Sequence, residues 1–276
     1  MLARPHSSPA TNGVKSDDHT SYGYNARDSP QEAATLRRLL VVLTVLTAAM
    51  LLSPSAAPAD QVSCTGDVLC PNLIPLPARE IQISYLDGQR LLRFSMTSWN
   101  AGRGPLELLG SSGGQVDQRI YQEDGTSIDK SAGTLTWHAA HNHYHFDHYA
   151  KFTLKPDPLT GNGSPSRFGE KSTFCIIDTD RIDGKLPGAP KRAVYRSCGF
   201  EKQGMSVGWG DTYRYYLDGQ WIESDGLGDG DYILEIEVDP TNRISETNDG
   251  DNTSQVRINI TGDKVTLLDA PRRGRP

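Results

Sequence analysis

The sequence predicts an all-β fold, an antiparallel β-sandwich with long loops and little helix. Three observations point there. Apolar residues alternate with polar ones at period two in several short runs; Gly, Pro, Asn and Asp clusters separate the runs; and no stretch past Cys70 has the 3.6-residue periodicity of a long amphipathic helix. Ile81, Ile83 and Tyr85 alternate before Asp87-Gly88, a hairpin signal, and Leu92, Phe94 and Met96 alternate after it. Tyr232, Leu234, Ile236 and Val238 repeat the pattern up to Pro240, and Val256, Ile258 and Ile260 repeat it near the C-terminus. Alternation puts the apolar side chains of each strand on one face, which needs a second layer to cover it. The long stretches Pro156–Ser166 and Asp180–Lys191 read as loops that are functional or tied down by disulfides.

Four segments are expected along the 276 residues. Residues 1–36, rich in Ser, Asp, Asn and Gly, read as a disordered extension. Residues 37–59 read as an export signal: Arg37-Arg38, then an uncharged apolar run from Leu39 to Leu52, then the small residues Ser53-Pro-Ser-Ala-Ala-Pro-Ala59. The run falls short of the ~20 residues that span a bilayer, so cleavage and no stable membrane insertion are expected, an uncleaved signal anchor being the alternative. Residues 60–266 form one domain, and 267–276 a disordered tail. A secreted, extracellular protein follows.

All four cysteines, Cys64, Cys70, Cys175 and Cys198, lie beyond the leader, and an even count in an exported chain suggests two disulfides. Sequence nearness favours Cys64–Cys70 and Cys175–Cys198 among the three connectivities. Residues 1–59 hold five of the 28 basic and four of the 34 acidic residues, which leaves the remainder at net −7. Such a chain is no nucleic-acid binder, and its charge tolerates cationic substrates.

Five of the seven histidines fall between His138 and His148. His141, His143 and His145 are spaced by two, so on an extended backbone their imidazoles share a face and make a site for copper or zinc with open positions for solvent or substrate. His148 has the opposite parity and reads as a residue at the core edge. Asp147 shares the ligand parity and is the candidate catalytic base, its simpler role being a hydrogen-bond partner to a ligand imidazole. Glu246, Asn248, Asp251 and Asn252 crowd oxygen donors into one turn, as a hard cation such as calcium requires; an ordinary Asn/Asp/Gly hairpin loop is the alternative.

Trp137-His-Ala-Ala-His-Asn-His-Tyr-His145 resembles the copper-binding segment of the lysyl oxidase family. Lys171-Ser-Thr-Phe-Cys-Ile-Ile-Asp-Thr179 resembles the family stretch with the cofactor lysine, and Gln203-Gly-Met-Ser-Val-Gly-Trp-Gly-Asp-Thr-Tyr213 the stretch with the cofactor tyrosine. Gln220-Trp-Ile222, Gly230-Asp-Tyr-Ile-Leu234, Pro71-Asn-Leu-Ile-Pro75 and Leu91-Leu-Arg-Phe94 extend the likeness over most of residues 70–260. The resemblance implies that His141, His143 and His145 bind copper and that Lys171 and Tyr213 are the precursors of lysine tyrosylquinone. It implies oxidation of primary amines, peptidyl lysine or small alkylamines, by dioxygen to aldehyde, ammonia and hydrogen peroxide. It also implies a structural calcium held by Asn72, Leu73, Glu246, Asn248, Asp251 and Asn252. The chain departs from the animal enzymes in lacking most of their cysteines, one of which is replaced by Ala140.

Two other readings compete. His143-Tyr-His-Phe-Asp-His148 fits the H-x-H-x-D-H pattern that resembles metallo-β-lactamase-type zinc hydrolases, although no histidine follows His148 to complete such a site. A non-enzymatic copper-binding β-sandwich would keep the metal and the fold alone.

Overall fold

The structure, a computed structural model, describes residues 61–268. The chain divides into units 1–57 and 58–276, and everything described lies in the second. The extension and leader expected over 1–59 and residues 269–276 of the tail therefore lie outside the described residues.

The strands in chain order are β1 (Val68–Leu69), β2 (Leu73–Pro75), β3 (Arg79–Leu86), β4 (Gln89–Asn100), β5 (Leu106–Gly110), β6 (Gln115–Gln122), β7 (Ser127–His138), β8 (His143–Phe146) and β9 (Ala150–Pro156). There follow β10 (Arg167–Phe168), β11 (Asp180–Arg181), β12 (Lys202–Met205), β13 (Trp209–Tyr213), β14 (Trp221–Glu223), β15 (Gly230–Val238), β16 (Thr253–Thr261) and β17 (Lys264–Leu267). Two short 3-10 turns, Ser112–Gly114 and Asp249–Asp251, are the only helical elements among the described residues. No helix there is long and apolar enough to cross a membrane.

Every strand pairing is antiparallel, and the strands form three sheets. One runs β12-β5-β6-β7-β8 with β1 on β6; a second runs β10-β9-β15-β16-β17; a third runs β11-β13-β4-β14, with β2 and β3 also on β4. The expected all-β antiparallel fold is present, with three sheets sharing the core. Leu106, Val116 and Leu135 enter it from the first sheet, Phe152, Leu234 and Ile258 from the second, and Leu92, Phe94 and Met96 from the third. At ~25 cal/mol per Å² of apolar surface, each such residue contributes roughly 1.5–3 kcal/mol on burial.

The Asp87-Gly88 hairpin forms as expected. Both residues have positive φ, 51° and 84°, as a two-residue turn matched to the twist of its strands requires. In β15 the alternating Tyr232, Leu234, Ile236 and Val238 are buried, and Leu234 pairs with Val256 of β16. Leu267 closes β17 opposite Ile258, so the last strand runs one residue beyond the expected domain end.

Irregular chain joins these strands around the functional residues. Cys64–Cys70 and Cys175–Cys198 are both formed. An isolated bridge between Phe146 and Phe174 hangs the segment after Lys171 on β8, through amide-to-carbonyl bonds of 2.7 and 3.1 Å. The Tyr149 amide adds a 2.9 Å bond to the Ser172 carbonyl. The buried Gln203 side chain ties three segments at once. Its amide donates to the Tyr144 and Gly199 carbonyls, and its oxygen accepts from the Ile176 N–H.

Candidate active site and metal centre

His143 and His145 lie two apart on β8, so their rings share a face. His141 is not on that strand. It sits in the turn between β7 and β8, where its N–H bonds the His138 carbonyl at 3.1 Å and Asn142 takes φ 56°. The three imidazoles converge because the hairpin folds His141 back, and not because one extended run carries all three, as the spacing alone suggested.

His143 Nε2 lies 2.9 Å and His141 Nδ1 3.3 Å from His145 Nε2. Adjacent nitrogen ligands around an ion at ~2.0–2.1 Å stand about 2.9 Å apart at right angles and about 3.3 Å apart at the tetrahedral angle, so the His143–His145 and His141–His145 pairs each have the spacing of neighbouring metal ligands, while the trio whose ring nitrogens all lie within 4.8 Å of one another is His138, His141 and His145. His145 is buried, and its Nδ1 meets the Thr173 hydroxyl at 3.0 Å, which leaves Nε2 aimed at the other rings. Burial, and then the nearby Lys171, push His145 down to about 3. Burial first, then His138, lower His141 and His143 too, so the rings are neutral donors at neutral pH. His138, not anticipated as part of the site, stacks on His141 and His145 at centroid distances of 4.2 and 4.6 Å. Its Nδ1 is buried without a partner, and a ring nitrogen of it groups with those of His141 and His145 within 4.8 Å.

His141, His143 and His145 line a cavity of about 400 Å³ together with Lys171, Tyr213, Asp211, Asp218 and the Cys175–Cys198 disulfide. Lys171 Nζ lies 5.3 Å from the Tyr213 ring centroid and donates to the Asp218 carbonyl at 3.2 Å. Burial lowers the Lys171 ammonium, while Asp218 and Asp211 pull the other way. The Tyr213 hydroxyl donates to the Cys175 carbonyl at 2.7 Å and accepts from its N–H at 2.8 Å, and burial raises it well above the ordinary phenol value. Phe174 meets the Tyr213 ring edge-on at 4.8 Å.

Asp147 is not brought to this cavity. Its carboxylate accepts from the Thr134 and Thr136 hydroxyls at 2.6 and 2.7 Å, because the chain turns at His148, whose φ is 59° and whose side chain is exposed. Strand parity therefore stops predicting direction at Asp147. The metal-bound Asp147 and His148 that an H-x-H-x-D-H hydrolase needs have no counterpart here.

A second oxygen cluster joins β2 to the turn before β16. Glu246 accepts from the Leu73 N–H at 2.7 Å and the Asn252 amide at 2.7 Å, and the Asn72 amide donates to Asp251 at 3.2 Å. One side-chain oxygen on each of Asn72, Asp251 and Asn252 is buried without a hydrogen-bond partner. Orphan oxygens gathered beside a buried carboxyl match what a hard cation takes as ligands. Asn248 instead caps the 3-10 turn, accepting from the Gly250 N–H at 3.0 Å.

The family model for lysyl oxidase matches residues 120–270, more than half of the chain. The chain belongs to the lysyl oxidase family. It is 34% identical over 185 residues to lysyl oxidase homolog 4 of Mus musculus, covering 65% of this chain and 20% of that protein. It is 33% identical over 223 residues to lysyl oxidase homolog 2B of Danio rerio, covering 76% of this chain and 27% of that protein. The chain thus spans about a fifth to a quarter of the length of these relatives. The family match takes in the histidines, Lys171 and Tyr213; Asn72 and Leu73 precede it.

Proposed function

We propose that the chain is an exported, copper-dependent amine oxidase that converts primary amines, as peptidyl lysine or small alkylamines, to aldehydes with consumption of dioxygen and release of ammonia and hydrogen peroxide. The observation that carries this reading is one cavity lined by His141, His143 and His145, with His145 at ligand spacing from each of the other two, beside a half-buried lysine and a half-buried tyrosine. His141, His143 and His145 would hold copper. Lys171 and Tyr213 would be joined as lysine tyrosylquinone, which supplies an electrophilic carbonyl for the amine and a two-electron sink.

The chain's own residues prepare that chemistry. Burial favours the neutral Lys171 amine, the form that is nucleophilic. Cys175 fixes the Tyr213 hydroxyl from both sides, and the Cys175–Cys198 disulfide anchors that segment. Thr173 keeps the His145 ring turned toward its neighbours. A structural calcium held by Asn72, Leu73, Glu246, Asp251 and Asn252 is part of the same proposal, supported by the three orphan oxygens, while Asn248, expected among its ligands, is engaged in capping its own turn. Residues 37–59 would direct export, and two disulfides suit an oxidising compartment.

Peptide mapping of aerobic, copper-replete protein tests the reading. One crosslinked peptide containing Lys171 and Tyr213 is expected, with quinone staining and hydrogen peroxide release from an alkylamine. Lys171→Ala should lose all three and keep bound copper. Unlinked residues in metal-loaded protein would reduce the chain to a copper-binding sandwich, and bound zinc without quinone absorbance would revive the hydrolase.

A further inference from the structure

Two buried carboxyls on the third sheet's side of the site are satisfied very unequally. Asp178 collects four donors: the Val194, Tyr195 and Ser206 N–H groups at 2.8, 3.2 and 2.7 Å, and the Ser206 hydroxyl at 2.7 Å. Asp211, only 2% exposed, collects one side-chain bond, from the Ile177 N–H at 3.4 Å. It enters none of the ion pairs among the described residues. A permanently ionised carboxylate in such a place costs several kcal/mol, so the position suits a group that takes up and returns a proton.

Its location says which proton. Asp211 and Tyr213 are two apart on β13 and share a face, and both line the cavity with Lys171 and the three histidines. Asp218 lines it too, but its side chain is 67% exposed and stays solvated.

We infer that Asp211 is the catalytic base of amine oxidation, its carboxylate taking the proton from the carbon that bears the substrate's amino group. The inference rests on the amine-oxidase reading above and replaces Asp147 in that role. The C–H bond breaks, an O–H bond forms on Asp211, and the C–H electron pair passes to the quinone, so the carbon rises to the oxidation level of an aldehyde while the acceptor gains two electrons. Dioxygen later removes those electrons as hydrogen peroxide. Burial raises the Asp211 carboxyl well above the ordinary range; the Ile177 N–H and Lys171 oppose that, Asp178 and Asp180 add to it, and the Tyr149 and Tyr213 hydroxyls also face the group. A carboxyl with a raised pKa is a stronger base once ionised.

Asp211→Asn separates this role from a structural one, because the amide oxygen still accepts from the Ile177 N–H but cannot hold the proton. The expected variant folds, binds copper, shows the Lys171–Tyr213 crosslink by intact mass and forms an adduct with phenylhydrazine, a probe of the quinone that needs no proton abstraction from carbon. Anaerobic mixing with benzylamine should bleach its quinone absorbance about 10²-fold or more slower than in the parent chain, with partial recovery in Asp211→Glu. Bleaching at the parental rate overturns the inference, as does a folded variant lacking the crosslink, which would move Asp211 to cofactor formation. A parent chain without crosslink or adduct sinks the amine-oxidase reading instead. Should Asp211→Asn not fold, the parental bleaching rate at saturating benzylamine decides: a rise through one ionisation above the ordinary carboxylate range supports the base, and a flat profile overturns it.

Discussion

At the scale of single residues, His145 shows how a proposed ligand is set up by its surroundings. It is the most enclosed of the three imidazoles, and its depressed pKa keeps the ring unprotonated through the physiological range. The Thr173 hydroxyl at Nδ1 then selects the rotation that exposes Nε2. Removing such a partner typically weakens metal affinity by 10–100-fold. Thr173→Val should therefore bind copper about that much more weakly in competition with a chelator, with little change in melting temperature, since Thr173 adds no core packing; unchanged affinity would refute the orienting role. Spacing pointed to the three histidines as candidate ligands, although it put His141 on the strand where the structure has it in the preceding turn. Thr173 and Asp211 were not legible, for they reach the site from segments 28 and 66 residues beyond His145, and local pattern carries nothing about such meetings. Asp147 was misread for the complementary reason. Parity holds only while the strand runs straight, and β8 ends at Phe146.

At the scale of elements, the β7–β8 hairpin carries the proposed metal donors, and its turn brings His141 to His145. Asn142 occupies the left-handed region at φ 56°, where Asn and Gly are tolerated and a β-branched residue is strained by about 1–3 kcal/mol. Asn142→Gly should preserve both stability and copper binding. Asn142→Val should lower the melting temperature and weaken copper at least tenfold, because the strain relaxes by carrying His141 away from His143 and His145. Equal copper affinity in the two variants, by titration, would show that His141 does not depend on this turn. The other hairpins were readable because Asp87-Gly88 and the runs of β15 and β16 obey local rules. The chain from Gly169 to Glu201 was not: apart from the two-residue β11 it has no period, and it is placed by the Phe146–Phe174 bridge, the Gln203 side chain and the Cys175–Cys198 disulfide.

At the scale of the whole molecule, alternation says that a face is covered but not by what, which is why a sandwich could be foreseen and three sheets about one core could not. The oxygen cluster around Glu246 links two of them, running from β2 in the third sheet to the turn entering β16 in the second. Burial raises Glu246 to about 8 from its ordinary 4.5, and Asp239 to about 6 from 3.8. Between those values the folded chain holds protons on these two groups that the unfolded chain has released, so without a cation their contribution to stability falls as pH climbs from about 4 to about 8. Calcium bound here would invert this, since a divalent charge beside Glu246 would favour its ionised form and occupy the orphan oxygens of Asn72, Asp251 and Asn252. With a dissociation constant in the ~0.1–1 mM range usual for extracellular sites, about 5 mM calcium should add roughly 1–2 kcal/mol. That corresponds to about 2–8 °C of melting temperature at pH 8, and the gain should be smaller at pH 5, where Glu246 is protonated. Glu246→Gln should flatten the pH dependence and remove the calcium response together. A variant that loses one without the other would separate the buried carboxyl from the cation site and leave the two sheets joined by hydrogen bonds alone.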